Sequence, residues 1–305
     1  MLRAVVFGGA GFIGSHVADE LTNRGYIVTV FDIVESKFIS SGQKMIVGDI
    51  LDRELIRDVV EQNDIVFHFA AIADIKEAIE NPVQAVNFNI IGTINILDAC
   101  REFKISRFIY SSTIYVYSEH GSFYRSTKQA CELLIENYQK EYNVDFTVIR
   151  YGSLYGRRAN KFNFIKNSIR QALLQGKIER KGDGEEIRDY INIVDAAKIT
   201  VDAIDSKYKN CYIMATGPQT MKVKDLLLMI SEMLNNSINI IYSNESIEGH
   251  YKITPYSFNP KVALKINSEN YHDLGQGIYD SIHEIYQDLL DEGLNPKNFV
   301  KLNDE

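Results

Sequence analysis

The sequence predicts an α/β protein with a doubly wound parallel sheet and a smaller α/β region towards the C-terminus. A short apolar run, Ala4 to Phe7, stops at a glycine-rich turn, and a helical pattern follows at once. A second strand-like run, Tyr26 to Phe31, ends at Asp32. Strand-like and helix-like segments then alternate through the first half of the chain. That alternation is typical of a parallel sheet with helices on both faces.

The individual elements follow from hydrophobic periodicity and from turn residues. In the first half we expect strands at 2–7, 26–31, 43–47, 64–69, 106–111 and 145–150. The helices expected between them cover 12–24, 52–61, 83–103 and 125–142. Asn81-Pro82 precedes the third of these helices, and proline is tolerated in a first helical turn. Beyond residue 150 the pattern loosens, and it predicts helices at 162–175, 194–204, 222–234 and 274–291 with strands at 189–193, 211–214 and 237–242.

Composition excludes several classes of protein. The 305-residue chain is 45% hydrophobic and carries a net charge of −8, which disfavours nucleic acids and anionic membrane surfaces as partners. Its longest apolar stretches, such as Ile65 to Ala73, are too short to span a bilayer, and the N-terminus lacks the pattern of a secretory signal. Three scattered cysteines indicate a reducing compartment, the cytoplasm, without disulfides. The histidines lack metal-ligand spacing, so we expect no metal site.

Charge is distributed unevenly along the chain. Between Arg150 and Arg188 there are ten basic and four acidic residues, inside a protein that is acidic as a whole. One interpretation is a solvated helix face. The other is a pocket for a phosphorylated ligand, because clustered arginine and lysine side chains bind phosphate. The sequence leaves both open.

The glycines of the first turn have the spacing that a dinucleotide site requires. Gly8 permits a tight turn, Gly11 lets the backbone approach a phosphate, and Gly14 lets the following helix pack against the strand. Asp32, at the end of the next strand, completes the pattern. We therefore expect a dinucleotide to bind at this end of the sheet.

Further candidate residues follow the later strands, whose carboxyl ends border the ligand site in open parallel sheets. Asp49 follows the third strand and could either accept a hydrogen bond from adenine or cap a helix. The residues from His68 to Ala71 end the fourth strand, where small side chains let a flat ligand lie on the backbone. Thr113 follows the fifth strand and is a candidate for binding a substrate hydroxyl.

Tyr124 and Lys128 are four residues apart on a predicted helix and therefore share a face. A lysine ammonium beside a phenol lowers the pKa of that phenol from about 10 towards neutrality. Tyr124 is then expected to act as a general base on an alcohol or sugar hydroxyl during hydride transfer. The pair gains weight from its place at the start of the helix after the fifth strand.

Together these motifs resemble the extended short-chain dehydrogenase/reductases, and within them the nucleotide-sugar epimerase/dehydratase group. The segment Asn89 to Thr93 resembles a motif on a helix at the dimer interface of this family. The segment Arg150 to Gly156 matches the residues after the sixth strand. In the segment Gly182 to Tyr190, Arg188 takes the position of an arginine that contacts the nucleotide diphosphate. The resemblance covers most of the chain.

The resemblance implies a Rossmann domain at 1–150 plus about 187–215, and a substrate domain at 151–186 and 216–305. It implies NAD as cofactor (NAD⁺/NADH), with tight binding left open; Asp32 would bind the ribose 2′-hydroxyl and repel a 2′-phosphate. It also implies a nucleotide-diphosphate sugar as substrate and a homodimer formed through helices near 83–103 and 125–142. The implied catalytic residues are Tyr124, Lys128 and Thr113. The implied cofactor-binding residues are Gly8, Gly11, Phe12, Ile13, Gly14, Asp32, Asp49, Ile50, Ala70, Ala71, Asn89, Ser111, Tyr124, Lys128 and Tyr151. The implied substrate-binding residues are Thr113, Ser153, Arg158 and Arg188.

Departures from the family pattern reduce the number of family reactions that the sequence is consistent with. Dehydratases carry Asp-Glu directly after the threonine and decarboxylases carry a glutamate in that turn, whereas this chain reads Thr113-Ile114-Tyr115. Only the residues from Glu119 to Phe123 separate the fifth-strand loop from Tyr124, so the usual substrate loop is truncated. Ser153 replaces the usual asparagine. The stretch from Ile247 to His250 lacks the usual arginine, and we expect His250 to be a surface residue or a substrate contact.

Our leading expectation is NAD-dependent oxidation at C4 of a nucleotide-activated sugar. The segments Gly249 to Phe258 and Asp273 to Gly277 resemble a subgroup that includes GDP-heptose 4-dehydrogenases of bacterial surface-polysaccharide biosynthesis. The sequence therefore favours a 4-dehydrogenase that forms a 4-keto sugar. A nucleotide-sugar 4-epimerase of the UDP-sugar type is the alternative. A catalytically silent NAD-binding regulatory protein is less favoured, because both Tyr124 and Lys128 are present.

Overall fold

The computed structural model describes residues 1–243, 264–265 and 271–296. The strands are β1 (Arg3–Phe7), β2 (Ile27–Asp32), β3 (Gln43–Val47), β4 (Ile65–His68), β5 (Arg107–Thr113), β6 (Phe146–Tyr151), β7 (Ser153–Tyr155), β8 (Lys177–Lys181), β9 (Ile187–Asn192), β10 (Cys211–Ala215), β11 (Thr220–Lys222), β12 (Asn239–Ser243) and β13 (Leu264–Lys265). The α-helices are α1 (Phe12–Asn23), α2 (Arg53–Glu61), α3 (Ile75–Glu80), α4 (Pro82–Val86), α5 (Gly92–Glu102), α6 (Ser122–Tyr142), α7 (Phe164–Gln175), α8 (Ile193–Asp202), α9 (Val223–Met233) and α10 (Leu274–Asp291). A π-helical turn covers Asn87–Ile91, and 3₁₀ turns cover Ile114–Tyr117 and Ser206–Tyr208.

The described residues form two compact units. The first contains Met1–Gly152, Val194–Ala215 and 264–265, and the second contains Ser153–Ile193, 216–243 and 271–296. Residues 187–193 were expected with the cofactor-binding part but belong to the second unit. The reason is that β9 pairs with β7 and β11, which are both in that unit. The assignment of cofactor and substrate to the two parts of the chain stays a prediction.

The first unit is built on a parallel sheet, which confirms the predicted fold class. Among the described residues it has eight strands in the order β13-β10-β6-β5-β4-β1-β2-β3, all parallel. Every residue of β4 and β6 is buried, as expected for strands that have helices on both faces. Helices α2, α5 and α6 cover one face and form the main apolar core with the central strands.

The chain reverses its direction of winding between β1 and β4. Strands β2 and β3 extend the sheet to one side of β1, whereas β4, β5 and β6 extend it to the other. At such a switch point the two loops that leave neighbouring strands diverge, and the crevice between them is the usual ligand site of an open α/β sheet. The turn after β1 and the loop after β4 are therefore the part of this fold to examine for a cofactor.

The helix predicted at 83–103 is three segments in the structure. Helix α4 begins at Pro82 with Asn81 as its N-cap, as the sequence indicated. The π-helical turn then inserts a wider turn before α5 begins. Periodicity alone does not reveal such a turn, because one extra residue barely changes the apolar pattern. Helix α3 was also missed, since its six residues are too few for a periodic signal.

The second unit has a three-stranded sheet, β11-β9-β7, and a two-stranded parallel pair, β12-β8. Helices α7, α9 and α10 contribute to its apolar core. Strand β8 was not predicted, because its sequence Lys-Ile-Glu-Arg-Lys is mostly charged. It forms because Gly176, at a φ of +69°, ends α7 and turns the chain so that Ile178 pairs with Ile240 of β12.

Candidate active site

The glycine turn after β1 is shaped by backbone contacts that leave no room for side chains. Gly8 has a φ of +78°, and its N–H donates to the Phe31 carbonyl at 2.8 Å. A Cβ on Gly8 would lie 2.5 Å from the backbone nitrogen of Ala70, in the loop after β4. A Cβ on Gly14 would lie 2.2 Å from the Gly8 carbonyl oxygen. Glycine is therefore required at both positions, and the turn closes directly on the switch-point crevice.

The N-terminus of α1 faces this turn without satisfying its own amides. Gly11 is the N-cap, no side chain caps the helix, and no acidic residue lies in its first turn. The first helical residues, Phe12 and Ile13, are half-buried. Free N–H groups and the positive end of the helix dipole favour an anion. The turn and α1 thus fit the pyrophosphate of a dinucleotide.

Asp32 lies beside the turn at the end of β2. Its Oδ2 accepts a hydrogen bond from the Ala10 N–H at 3.0 Å. Burial raises the pKa of this carboxyl, and hydrogen bonds from the backbone N–H groups of Ala10 and Val34 oppose that shift. The residues after it, Ile33 and Val34, are exposed and uncharged. The carboxylate fits an acceptor for a ribose diol, and neither of the two residues that follow it supplies a cation for a 2′-phosphate.

Asp49 does not cap a helix. Its Oδ1 accepts from the Leu51 N–H at 2.9 Å within its own turn, whereas the cap of α2 is Asp52. The structure thus removes the helix-cap interpretation of Asp49, and its contact with adenine stays a prediction. The neighbouring Ile50 is buried against α5, where a Cβ on Gly92 would lie 2.4 Å from the Ile50 Cδ1.

Asn89 holds the loop after β4, which contains Ala70 and Ala71. Its Oδ1 accepts from the Ile72 N–H at 2.7 Å, and its Nδ2 donates to the Ile72 carbonyl at 3.1 Å. The same Nδ2 also donates to the Thr127 hydroxyl on α6 at 3.0 Å. Because these bonds engage both ends of the amide, Asn89 shapes the predicted cofactor loop and ties it to α6.

The three predicted catalytic residues lie together at the carboxyl end of β5. The Thr113 hydroxyl forms a hydrogen bond with the Tyr124 phenol. Lys128 donates from Nζ to the Ser111 carbonyl at 2.7 Å, and its Nζ is 6.0 Å from the centre of the Tyr124 ring. Thr113 and Lys128 are buried, and Tyr124 is half-buried. This arrangement can bind a hydroxyl and transfer its proton.

The predicted effect of Lys128 on Tyr124 is wrong for the protein alone. Burial raises the pKa of Tyr124 to about 12, and the hydrogen bond from Thr113 only partly opposes that shift. The reason is that the Lys128 ammonium is committed to the Ser111 carbonyl rather than to the phenol. Burial also lowers the pKa of Lys128 to about 8, so this group remains mainly charged at neutral pH.

Four further predicted residues have the following positions. The phenol of Tyr151 is buried in the first unit and forms a 2.6 Å hydrogen bond with the Thr200 hydroxyl. In the second unit, Ser153 begins β7, Arg158 has a φ of +60°, and Arg188 is buried with Nη1 donating to the Ile187 carbonyl at 3.0 Å. Their contacts with a ligand stay predictions. The stretch from Ile247 to His250 and the segment Gly249 to Phe258 lie outside the described residues.

Several cations of the basic segment are committed to ion pairs. Arg170 pairs with Glu292 at 2.8 Å, and Arg180 pairs with Glu186 at 2.9 Å. Arg150, in the first unit, pairs with Glu132 at 2.7 Å. In the protein alone these three arginines are paired with carboxylates, and the phosphate pocket that the local charge excess suggested stays a prediction. Arg188 keeps its separate assignment from the family resemblance.

Sequence reasoning missed a buried polar network next to the catalytic residues. Glu132 accepts from the Ser112 hydroxyl at 2.6 Å and from the Arg150 Nε at 3.0 Å. One signal was present, since Glu132 follows Lys128 by four residues and so shares its helix face. The Arg150 partner could not be predicted from helical spacing, because it lies on strand β6 and not on the helix.

Two features are absent from the described residues. No helix in this part of the chain combines the length and hydropathy that crossing a bilayer requires. Across the same residues, no group of three or more histidine, cysteine, aspartate or glutamate side chains is placed to hold a metal ion. Cys100, Cys131 and Cys211 are free thiols. At the carboxyl end of β5, the hydrogen-bonded Thr113 hydroxyl and Tyr124 phenol are groups that can transfer a proton.

Comparison with known proteins agrees with this geometry. A family model described as "NAD dependent epimerase/dehydratase family" matches residues 4–212. A UDP-N-acetyl-alpha-D-glucosaminuronate decarboxylase of Bacillus cytotoxicus is 30% identical over 266 residues, covering 79% of this chain and 83% of the relative. A putative UDP-glucose 4-epimerase of Methanocaldococcus jannaschii is 28% identical over 270 residues, covering 82% and 88% of the two chains.

A solved structure extends the similarity over nearly the whole chain. The UDP-glucuronic acid 4-epimerase of Bacillus cereus, in complex with UDP-glucuronic acid and NAD, superposes with a TM-score of 0.82 at 25% sequence identity. The match covers 94% of this chain and 99% of that one. The crevice, the helix N-terminus and the Thr113–Tyr124–Lys128 group thus occur in a chain whose fold and sequence match NAD-binding relatives.

Proposed function

The chain belongs to the NAD-dependent epimerase/dehydratase family, and from that premise we propose that it epimerises a UDP-activated sugar at C4. One observation carries the choice of reaction. The turn after Thr113, Ile114–Tyr117, contains no carboxylate, and its Tyr115 ring packs edge-on against the Tyr124 ring with centres 6.5 Å apart. Dehydratases of the family carry an Asp-Glu pair in that turn for the elimination of water, and decarboxylases of the family commonly carry a glutamate there. Oxidation at C4 followed by reduction needs neither group.

The sequence placed a GDP-heptose 4-dehydrogenase first and a UDP-sugar 4-epimerase second. The named relatives support the second better, since they act on UDP-sugars and include 4-epimerases. An epimerase also needs no external oxidant, because the hydride removed from C4 returns to the same carbon. The cytoplasmic location and the surface-polysaccharide role expected from the sequence remain part of the proposal.

The residues of the chain would divide the work as follows. The glycine turn, the N-terminus of α1 and Asp32 would hold NAD. When bound, NAD supplies a positively charged ring that accepts hydride from C4 and returns it. Thr113 would hold the C4 hydroxyl by hydrogen bonding, and Tyr124 would take its proton as the carbon is oxidised. Hydride would then return to the opposite face of C4, and Tyr124 would give the proton back to the oxygen. The product would be the C4 epimer.

The pKa values of the protein alone set a condition on this mechanism. With a pKa raised to about 12, the Tyr124 phenol keeps its proton at neutral pH. A positive charge near a phenol lowers its pKa, and the charged ring of bound NAD would add one that the protein alone does not supply, because Lys128 is committed to the Ser111 carbonyl. We therefore expect Tyr124 to work as a base only in the loaded site, which couples proton removal to the presence of cofactor and sugar.

A substrate panel tests the function. The purified protein with NAD is incubated with UDP-glucose, UDP-glucuronic acid, UDP-N-acetylglucosaminuronic acid and GDP-heptose, and the products are followed by NMR. We expect a C4 epimer from at least one UDP-sugar, with no net NADH and no carbon dioxide. NADH accumulation with a 4-keto product from GDP-heptose would establish the dehydrogenase instead. NAD binding without turnover of any sugar would favour the regulatory alternative.

We also propose that the protein is a homodimer formed through the α4–α5 region and α6. Exposed apolar side chains on these helices support this: Val83, Val86 and Leu133 are 71%, 40% and 54% exposed in the single chain. Apolar groups of this size gain free energy when a partner covers them. A second copy of the same chain would cover both sets at once through an isologous contact.

Leu133→Asp is expected to convert the dimer into a monomer, because burying an unpaired carboxylate at an apolar interface is unfavourable. Light scattering after size-exclusion chromatography measures the mass. The matched control is Leu228→Asp on α9, where the wild-type leucine has a similar exposed fraction of 52%. The control should remain dimeric. A dimeric Leu133→Asp protein, or a wild-type monomer, would rule out this interface.

A further inference from the structure

The Glu132–Arg150 network lies in the first unit and consists of Ser112, Tyr117, Glu132, Arg150 and Tyr212. The Arg150 side chain is fully buried and that of Glu132 is 6% exposed. The guanidinium donates through Nε and Nη2 to the two carboxylate oxygens at 3.0 and 2.7 Å. Paired N–H···O bonds of this kind fix orientation as well as distance. Arg150 therefore holds α6 to β6 in one defined geometry.

The other members join the remaining elements of the site. The Ser112 hydroxyl donates to the Glu132 Oε1 at 2.6 Å. The Arg150 guanidinium hydrogen-bonds the Tyr117 phenol and lies 4.6 and 4.4 Å from the ring centres of Tyr117 and Tyr212. Ser112 directly precedes Thr113 on β5, and Tyr117 ends the 3₁₀ turn that follows Thr113. The network thus joins α6, which carries Tyr124, to both segments that flank Thr113.

Stability alone does not explain a buried pair of this kind. Removing two charges from water carries a desolvation cost that their attraction often fails to offset, and well-packed apolar replacements are frequently neutral or stabilising. Helix α6 also needs tertiary contacts to set its position. It starts without a side-chain cap, and its first turns are tied by a bond from Arg125 Nη1 to the Ser118 carbonyl at 2.8 Å.

We propose that Glu132 and Arg150 are positioning residues that hold the Tyr124 phenol against the Thr113 hydroxyl. Tyr124 precedes Glu132 by eight residues, or about 12 Å of helix. A tilt of about 5° around Glu132 would move the Tyr124 end by roughly 1 Å. A misplacement of about 1 Å can lower a rate by about 100-fold. The paired bonds between Arg150 on β6 and Glu132 on α6 would resist such a tilt. The proposal rests on the proposed role of Tyr124 in proton transfer.

The first test replaces the pair by apolar side chains, Glu132→Leu with Arg150→Met. We expect the fold and the NAD affinity to be retained and KM for the UDP-sugar to change less than threefold, while kcat falls by about 100-fold. A general loss of structure would lower NAD affinity and thermal stability together. A folded double variant with wild-type kcat would overturn the proposal.

Arg107→Met is the matched control, because Arg107 is another buried arginine at the opposite end of β5. Its Nη1 donates to the Thr147 hydroxyl at 3.1 Å and to the Ala203 carbonyl at 3.3 Å, remote from Tyr124. We expect lower thermal stability and an unchanged kcat. If this variant loses kcat as strongly as the pair variant at equal stability, the effect is general and the positioning role is refuted.

If the double variant does not fold, Arg150→Lys tests the positioning role instead. Lysine keeps the buried charge but loses the paired geometry of the guanidinium. We expect a folded protein with kcat lowered about tenfold and KM unchanged. A folded Arg150→Lys protein with full kcat would contradict positioning by the paired contact.

A spectroscopic readout separates this proposal from the proposed function. In protein labelled with ¹³Cζ-tyrosine, the Tyr124 resonance is assigned by its loss in Tyr124→Phe. We expect it to shift in Arg150→Lys and to stay in place in Arg107→Met. If the wild-type protein turns over no UDP-sugar, the function fails while this shift still tests positioning. An unshifted Tyr124 resonance in Arg150→Lys would refute it.

Discussion

Replacing Tyr124 with phenylalanine is expected to lower kcat by about 10²- to 10⁴-fold, the usual contribution of a general acid/base group. The phenol is the proposed proton-transferring group and hydrogen-bonds with Thr113, and phenylalanine preserves the ring while removing the oxygen. The ring is half-buried next to Tyr115, so its packing should survive the substitution. Steady-state kinetics on the UDP-sugar identified by the panel measure the loss.

The control is Tyr138→Phe, the same substitution on the same helix. The Tyr138 phenol donates to the Asp98 carboxylate at 2.8 Å, so its loss removes a hydrogen bond remote from Thr113. We expect a stability cost of about 1 kcal/mol and no change in kcat. NAD affinity should be unchanged in Tyr138→Phe and fall only modestly in Tyr124→Phe, where the lost phenol is one of many predicted cofactor contacts. Full activity in Tyr124→Phe would remove the mechanism, whereas loss of NAD binding in it would show a structural defect instead.

The parts of the fold that the sequence predicted are those that rest on local signals. The turn at Gly8 and the alternation of strands and helices are written within short windows, and the parallel sheet follows from them. Two elements could not be predicted from such short windows: the π-helical turn at Asn87–Ile91 and strand β8. The first changes the period by one residue, and the second depends on a partner, β12, that lies far along the chain.

The same distinction applies to the candidate site. Thr113, Tyr124 and Lys128 were predictable as a group, because α6 is the first α-helix after β5 along the chain and therefore starts near the end of that strand. The raised pKa of Tyr124 could not be predicted in the same way, because it depends on the direction in which the Lys128 ammonium points. That direction is set by the Ser111 carbonyl, 17 residues away in sequence. Spacing identifies which groups meet, whereas tertiary contacts decide their charge states.

Gly14→Ala is expected to lower both the stability of the first unit and its affinity for NAD. An added Cβ would lie 2.2 Å from the Gly8 carbonyl oxygen and 2.9 Å from the Gly9 Cα. Both are backbone atoms that cannot rotate away, so α1 must move relative to β1. Overpacking of this kind costs about 1–3 kcal/mol. The helix N-terminus moves with it, and we expect NAD affinity to fall by more than tenfold, as measured by calorimetry.

Gly11→Ala separates cofactor binding from folding. Gly11 has an extended φ of −77°, and its added Cβ would lie 3.1 Å from the Gly8 carbonyl oxygen, so the backbone can adapt with a small shift. We expect a nearly unchanged unfolding midpoint with a clear loss of NAD affinity, because the new methyl group stands at the N-cap where the pyrophosphate is proposed to approach. Wild-type NAD affinity in Gly11→Ala would place the pyrophosphate away from α1. Wild-type affinity in Gly14→Ala as well would mean that the turn after β1 is not the cofactor site.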